Sequence, residues 1–90
     1  MKLKYKFVIR EVSGQSVAVA VGTDYEKFNG MVKLNKTGAY IMELLNSGDK
    51  SQQELVTALT DRYEVTAERA EANVKSFLDI LRQGGLLRES

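Results

Sequence analysis

The sequence predicts an α+β domain in which a three-stranded antiparallel sheet is followed by three helices, in the order βββααα. Through the first third of the chain apolar residues recur at every second position, a period typical of β-strands. From residue 35 onwards they recur at every third or fourth position, which is the helical period. A length of 90 residues suits one small domain, so we expect a single unit over residues 1–90.

Three segments carry the strand pattern. In residues 5–12 aromatic and β-branched side chains alternate with basic ones, with Val8 an apolar exception, and Ser13-Gly14-Gln15 then supplies a turn. Residues 17–21 are apolar on both faces, so we expect this second strand in the middle of the sheet. The third strand, Met31–Leu34, is short and follows a polar loop, so we expect it at an edge of the sheet.

Three helices follow, and each begins at a residue suited to capping it. The segment from Ser51 to Glu54 is a capping box, in which each side chain satisfies a free backbone N–H. Leu86 and Leu87 come after the third helix, and we expect them to fold back over the core. The helix starts are predicted at Asn35, Ser51 and Thr66, and glycines end the first and third helices at Gly48 and Gly84-Gly85.

Composition excludes several classes of protein. The chain has no cysteine and no histidine, so disulfides, zinc ribbons, iron–sulfur clusters, thiol catalysis and an imidazole base are excluded. A net charge of +1 gives no support to nucleic-acid binding. The longest apolar run, Val17 to Val21, is far too short to cross a membrane. We expect a cytoplasmic protein without a cofactor.

The residues suited to catalysis or metal binding are few. The loop between Gly22 and Gly30 holds Asp24 and Glu26, but two loop carboxylates without EF-hand spacing are a weak calcium pattern. An enzyme would depend on carboxylate, lysine or tyrosine chemistry alone, so this reading is disfavoured.

One flank of the third helix is unusual. The core stripe of this helix is predicted to be Ala70, Val74, Phe77, Leu78 and Leu81. Beside Phe77, one flank carries Arg69, Asn73, Ser76 and Ile80, of which only Arg69 is charged. This flank either packs against another element or forms a groove left open for a partner, with Asn73 and Arg69 at its rim.

The third strand suggests what such a partner would be. We expect Val32 and Leu34 to point inward, and an extended peptide can add to an open strand edge. Lys33 then either protects the edge against aggregation or meets an acidic residue of a bound peptide. If the N–H of Val32 faces the open edge, a proline at this position would abolish peptide binding.

Leu34-Asn35-Lys36-Thr37-Gly38, where the third strand passes into the first helix, resembles a motif of the PqqD family. These are small proteins of pyrroloquinoline quinone biosynthesis, and their fold is also called the RiPP recognition element. The resemblance extends over residues 7–87 and includes the closing Gly84-Gly85-Leu86-Leu87. It implies a winged helix-turn-helix-like domain that has no DNA-binding function.

The resemblance also implies a function. Family members bind the leader of a ribosomally made precursor peptide and present it to a modifying enzyme, often a radical S-adenosylmethionine protein. The leader pairs with the third strand and lies beside the third helix. On this chain the strand contacts would be Met31, Val32, Lys33 and Leu34. The helix contacts, taken from the flank described above, would be Arg69, Asn73, Phe77 and Ile80.

Two other readings remain open. A DNA-binding winged helix would use the third helix for recognition, but the charges of that helix cancel and the strands precede the helices. A self-associating structural module, such as a homodimer, would use the same open strand edge to pair with itself.

Overall fold

The structure, a computed structural model, describes residues 1–22 and 30–89. The polar loop with Asp24 and Glu26 lies mostly outside these residues, so the weak calcium pattern is not described. The predicted fold class is confirmed, with a three-stranded antiparallel sheet preceding three helices. In chain order the elements are β1 (Lys2–Leu3), β2 (Phe7–Val12), β3 (Gln15–Ala20), β4 (Met31–Leu34), α1 (Lys36–Ser47), α2 (Gln52–Arg62), α3 (Ala67–Gln83) and β5 (Leu87–Arg88).

The sheet has the predicted order, with β3 between β2 and β4. β2 and β3 form a hairpin in which Val12 pairs with Gln15 across the two residues Ser13 and Gly14. Both of these residues have positive φ, 52° and 80°, which is the requirement of the tight hairpin turn that matches strand twist. Because the turn is this short, β3 begins at Gln15, two residues before the predicted start.

The first predicted strand is divided in two. Residues 5–12 were expected to form one strand, but β2 begins at Phe7, and Lys2–Leu3 forms the separate strand β1. β1 pairs antiparallel with β5 near the other end of the chain, and the Lys4 N–H donates to the Leu86 carbonyl at 2.8 Å. Alternation alone cannot reveal this change of partner, because β1 and β2 share the same period of two.

The core lies between the sheet and the helices. All five predicted core positions of α3 are buried, and Leu86 folds back with 2% of its surface exposed. The predicted helix starts are confirmed: Asn35 Oδ1 accepts from the Gly38 N–H at 2.7 Å, and Thr66 Oγ accepts from the Arg69 N–H at 3.1 Å. Ser51 and Glu54 form the predicted capping box. Within residues 1–22 and 30–89, no helix is both long and apolar enough to cross a membrane.

Candidate functional site

In an antiparallel sheet, hydrogen-bonded and non-hydrogen-bonded residue pairs alternate, and this hydrogen-bonding phase determines which residues of an edge strand have free backbone N–H and C=O groups. The side-chain amide of Asn46 accepts from the Phe7 N–H at 3.4 Å and donates to the Phe7 carbonyl at 2.8 Å. Phe7 therefore directs its backbone away from β3. The Val21 N–H donates to the Lys6 carbonyl at 3.1 Å, so the neighbouring pair does bond across the hairpin. In an antiparallel ladder such pairs alternate along the strands.

The same alternation continues to β4. Since Val17 and Val19 bond towards β2, Ser16 and Ala18 direct their backbone groups towards β4, where their register partners are Leu34 and Val32. The intervening residues Met31 and Lys33 must point their N–H and C=O groups away from β3. The open edge of β4 is thus presented by Met31 and Lys33, whereas the backbone of Val32 faces inward.

The side chains of β4 alternate in the same way. Met31 is 59% exposed and Lys33 is exposed. Val32 is half-buried against the core and Leu34 is 3% exposed, so both point inward as predicted. The Leu34 carbonyl also accepts a hydrogen bond from the Gln15 side chain at 2.8 Å. Of the four predicted strand residues, Met31 and Lys33 are therefore the accessible ones.

A cleft lies between α3 and the start of α1, directly after β4. β4 and α3 both pack against α1, yet every Cα–Cα distance between β4 and α3 exceeds 8 Å. Part of this cleft is a cavity of about 100 Å³. Three of the predicted helix residues lie together here, with Phe77 almost fully buried and Ile80 53% exposed. The cavity is lined by Asn35, Thr37, Asn73, Ser76, Phe77 and Ile80.

The Leu-Asn-x-Thr-Gly motif shapes this cavity. A Cβ atom at Gly38 would lie 3.1 Å from Cε1 of Phe77 and 3.0 Å from Oδ1 of Asn35, closer than ordinary van der Waals contact. The glycine therefore lets the start of α1 approach the Phe77 ring. Asn35 Oδ1 also accepts from the Thr37 hydroxyl at 3.1 Å, so the capping residues lie on the cavity wall. The motif thus both turns the chain and forms one side of the cleft.

Arg69 lies apart from the other predicted helix residues. It is exposed, one helical turn before Asn73, and does not line the cavity. Its backbone N–H is bound by the Thr66 hydroxyl at the start of α3. Arg69 is therefore an exposed position in the first turn of α3, outside the cavity.

Charge is distributed unevenly around α3. On the flank away from the cleft, Arg82 bonds to Asp79 at 3.0 Å and to Glu89 at 2.7 Å. The hydrogen bond from Arg82 lowers the pKa of the Glu89 carboxyl, and the same bond raises the pKa of Arg82. The cavity lining, in contrast, carries no formal charge. Among the described residues, no cluster of three or more carboxylates, histidines or cysteines is placed to hold a metal ion.

Comparison with known families identifies the fold. The model of a family described as "Coenzyme PQQ synthesis protein D (PqqD)" matches residues 15–87. The chain belongs to the PqqD family. The match begins at β3 and includes the whole of β4, the capping motif and the three helices, and so covers every residue that lines the cleft of this PqqD-family chain.

Two solved structures are similar to this PqqD-family chain. One is TbiB1 in complex with the TbiA(beta) leader peptide, with a TM-score of 0.72 and 26% identity over 100% of this chain and 98% of that one. The other is a lasso peptide synthetase B1 complexed with the leader peptide, with a TM-score of 0.68 and 23% identity over 98% of this chain and 96% of that one. The second supports the fold alone. No curated protein matches the chain.

Several residues of the cleft were not among the predicted site residues. Asn35 and Thr37 belong to the Leu34–Gly38 motif and Ser76 to the flank of α3, and all three line the cavity. The flank pattern was the signal for Ser76. The contribution of Asn46, which occupies the Phe7 edge of β2, had no signal in the sequence, because it depends on a contact across 39 residues.

Proposed function

We propose that this chain is a peptide-binding adaptor that captures the leader of a ribosomally made precursor peptide by strand addition to β4. The observation that carries the proposal is the open edge of β4, formed by Met31 and Lys33, together with the uncharged flank of α3 that lines the cleft directly after β4. The similarity to TbiB1, which was solved with a leader peptide, supports the same function for the same fold.

The geometry explains how affinity and selectivity would be divided. A peptide on β4 would bond to the N–H and C=O groups of Met31 and Lys33. These contacts involve only the peptide backbone, so they would contribute affinity with little dependence on the peptide sequence. Alternate side chains of the peptide would then enter the cleft and contact Phe77, Ile80 and Asn73. Selectivity would come from these contacts, with Arg69 at the rim to meet an acidic group.

The adaptor would present the peptide to a modifying enzyme, a radical S-adenosylmethionine protein as the family resemblance implies. A non-catalytic role suits a chain without histidine or cysteine. Because the substrate would be made on ribosomes, the complex would form in the cytoplasm. The same open edge would support pairing between two copies of the chain, so the homodimer is a competing outcome of the test below.

Amide NMR provides that test. The labelled protein is titrated with synthetic peptides that correspond to short open reading frames beside its gene. We expect one peptide to shift amide signals of residues 30–35 and 69–80 and to leave α2 unchanged. The proposal fails if no peptide shifts these signals, or if duplex DNA alone does so. Sedimentation at several protein concentrations separates peptide capture from self-association.

A further inference from the structure

The face of the sheet that points away from the helices has a charged row that ends at β4. Arg10, Val17 and Lys33 are register partners across β2, β3 and β4, so their side chains lie on one face in one row. Ala18 and Val32 belong to the opposite face and pack in the core, whereas Val17 is buried outside the core cluster. The row therefore has a cationic side chain at each end, Arg10 and Lys33, with Val17 between them.

These two cations are not neutralised within the described part of the chain. Neither Arg10 nor Lys33 has a carboxylate oxygen within 4 Å among residues 1–22 and 30–89. Both are exposed, and Lys33 is the last residue of the row at the open edge. A fourth strand would place its next side chain about 4.8 Å from Lys33, in line with the row.

The adjacent row on the same face is apolar throughout. Val8, Val19 and Met31 are register partners, and Met31, 59% exposed, ends this row at the same edge. Because side chains alternate along a strand, the residues beside Met31 and Lys33 would be two positions apart in the added peptide. The residue between them would point to the other face, into the cleft.

We infer that the peptide captured on β4 carries an acidic residue beside Lys33 and an apolar residue two positions away beside Met31. The inference rests on the proposed function. An opposite charge directly across two strands contributes a favourable pair, and a like charge at the same place is unfavourable. The order of the two residues in the peptide depends on the direction in which the added strand runs.

Selection from a displayed library of short random peptides tests this inference. The targets are the parent protein, Lys33→Glu, and Lys75→Glu as a matched charge reversal at an exposed position of α3. We expect acidic residues to be enriched at one position for the parent protein and for Lys75→Glu, and basic residues for Lys33→Glu. An apolar residue two positions away should be common to all three.

Synthetic peptides then give the size of the effect. Replacing the selected acidic residue by lysine should raise the Kd for the parent protein by about two- to fivefold, and Lys33→Glu should reverse this preference. Peptides that shift amide signals of residues 30–35 without any charge preference would overturn the inference and leave the proposed function standing. If no selected peptide shifts those signals, the inference and the proposed function both fail.

Discussion

The side chain of Asn46 bonds to both backbone groups of Phe7, at 3.4 Å and 2.8 Å. This contact ties α1 to the first residue of β2 and occupies that end of the β2 edge. At the opposite edge of the sheet, Met31 and Lys33 of β4 have no such partner among the described residues. One residue of the β2 edge is thus occupied by α1, whereas no residue of the β4 edge has such a partner among the described residues.

Proline substitution in β4 tests strand addition directly. Lys33→Pro removes an N–H that faces the open edge and spares the ladder to β3, so we expect a folded protein whose affinity for a leader peptide falls about tenfold. Calorimetric titration measures this change. Lys33→Ala is the control, because it keeps the N–H and should lose no more than about fivefold. Normal binding by a folded Lys33→Pro protein would exclude strand addition.

Val32→Pro is expected to act differently. On the sequence alone its N–H could face the open edge, but the register directs it towards Ala18, so proline here breaks the ladder. We expect the free energy of unfolding to fall by about 1–3 kcal/mol, measured by urea denaturation. A Val32→Pro protein as stable as its parent would show that the hydrogen-bonding phase is the reverse of the one derived above.

The cleft contributes through Ile80 and Asn73. Ile80 is 53% exposed, so Ile80→Ala should change stability little, while loss of its apolar contact should raise the Kd for a leader peptide roughly fivefold. Asn73→Ala should also weaken binding. Val12→Ala is the matched control, since Val12 is 54% exposed at the far end of β2. Equal effects of Ile80→Ala and Val12→Ala would remove the cleft from the site.

Gly38 is predicted to resist substitution. Alanine normally stabilises a helix by about 1 kcal/mol relative to glycine, but here its Cβ would press on Phe77 and Asn35. We expect Gly38→Ala to lower the free energy of unfolding by about 1–3 kcal/mol. Phe77→Leu, which removes the ring, should partly rescue it in a double-mutant cycle. Additive effects of the two substitutions would contradict the close contact.

The capping box of α2 gives a pH-dependent prediction. The Glu54 carboxylate accepts from the Ser51 N–H at 2.9 Å, and this bond lowers the pKa of Glu54. Its stabilisation is therefore present above the pKa of an unfolded glutamate and is lost as pH falls through the folded value. Urea unfolding at neutral and acidic pH measures this effect. As pH falls, the free energy of unfolding should decrease less for Glu54→Gln than for the parent.

A second substitution isolates the other half of the capping box. Ser51→Ala removes the hydroxyl that accepts from the Glu54 N–H at 3.1 Å, and it should lower the free energy of unfolding by about 0.5–2 kcal/mol.

The pH prediction on Glu54 has its own contradicting outcome. Parallel pH profiles of the parent and Glu54→Gln proteins would show that this carboxylate does not contribute to the acid sensitivity of the fold.

Local signals in the sequence predicted the elements well. Asn35, Ser51 and Thr66 begin the helices because a side-chain oxygen there satisfies a backbone N–H within three residues. The buried stripe of α3 follows from the helical period, and the central position of β3 follows from its two apolar faces. Each of these inferences depends on residues close together in the chain.

The sequence by itself thus determined the order of the three sheet strands and the three helices, the helix boundaries and the side of α3 that is buried. The tertiary structure alone decided that β1 pairs with β5, that Asn46 bonds to Phe7, and that Met31 and Lys33 rather than Val32 present the open edge. Local periodicity encodes the face on which a side chain lies. Partner and hydrogen-bonding phase arise between segments distant in sequence, so only the folded chain determines them.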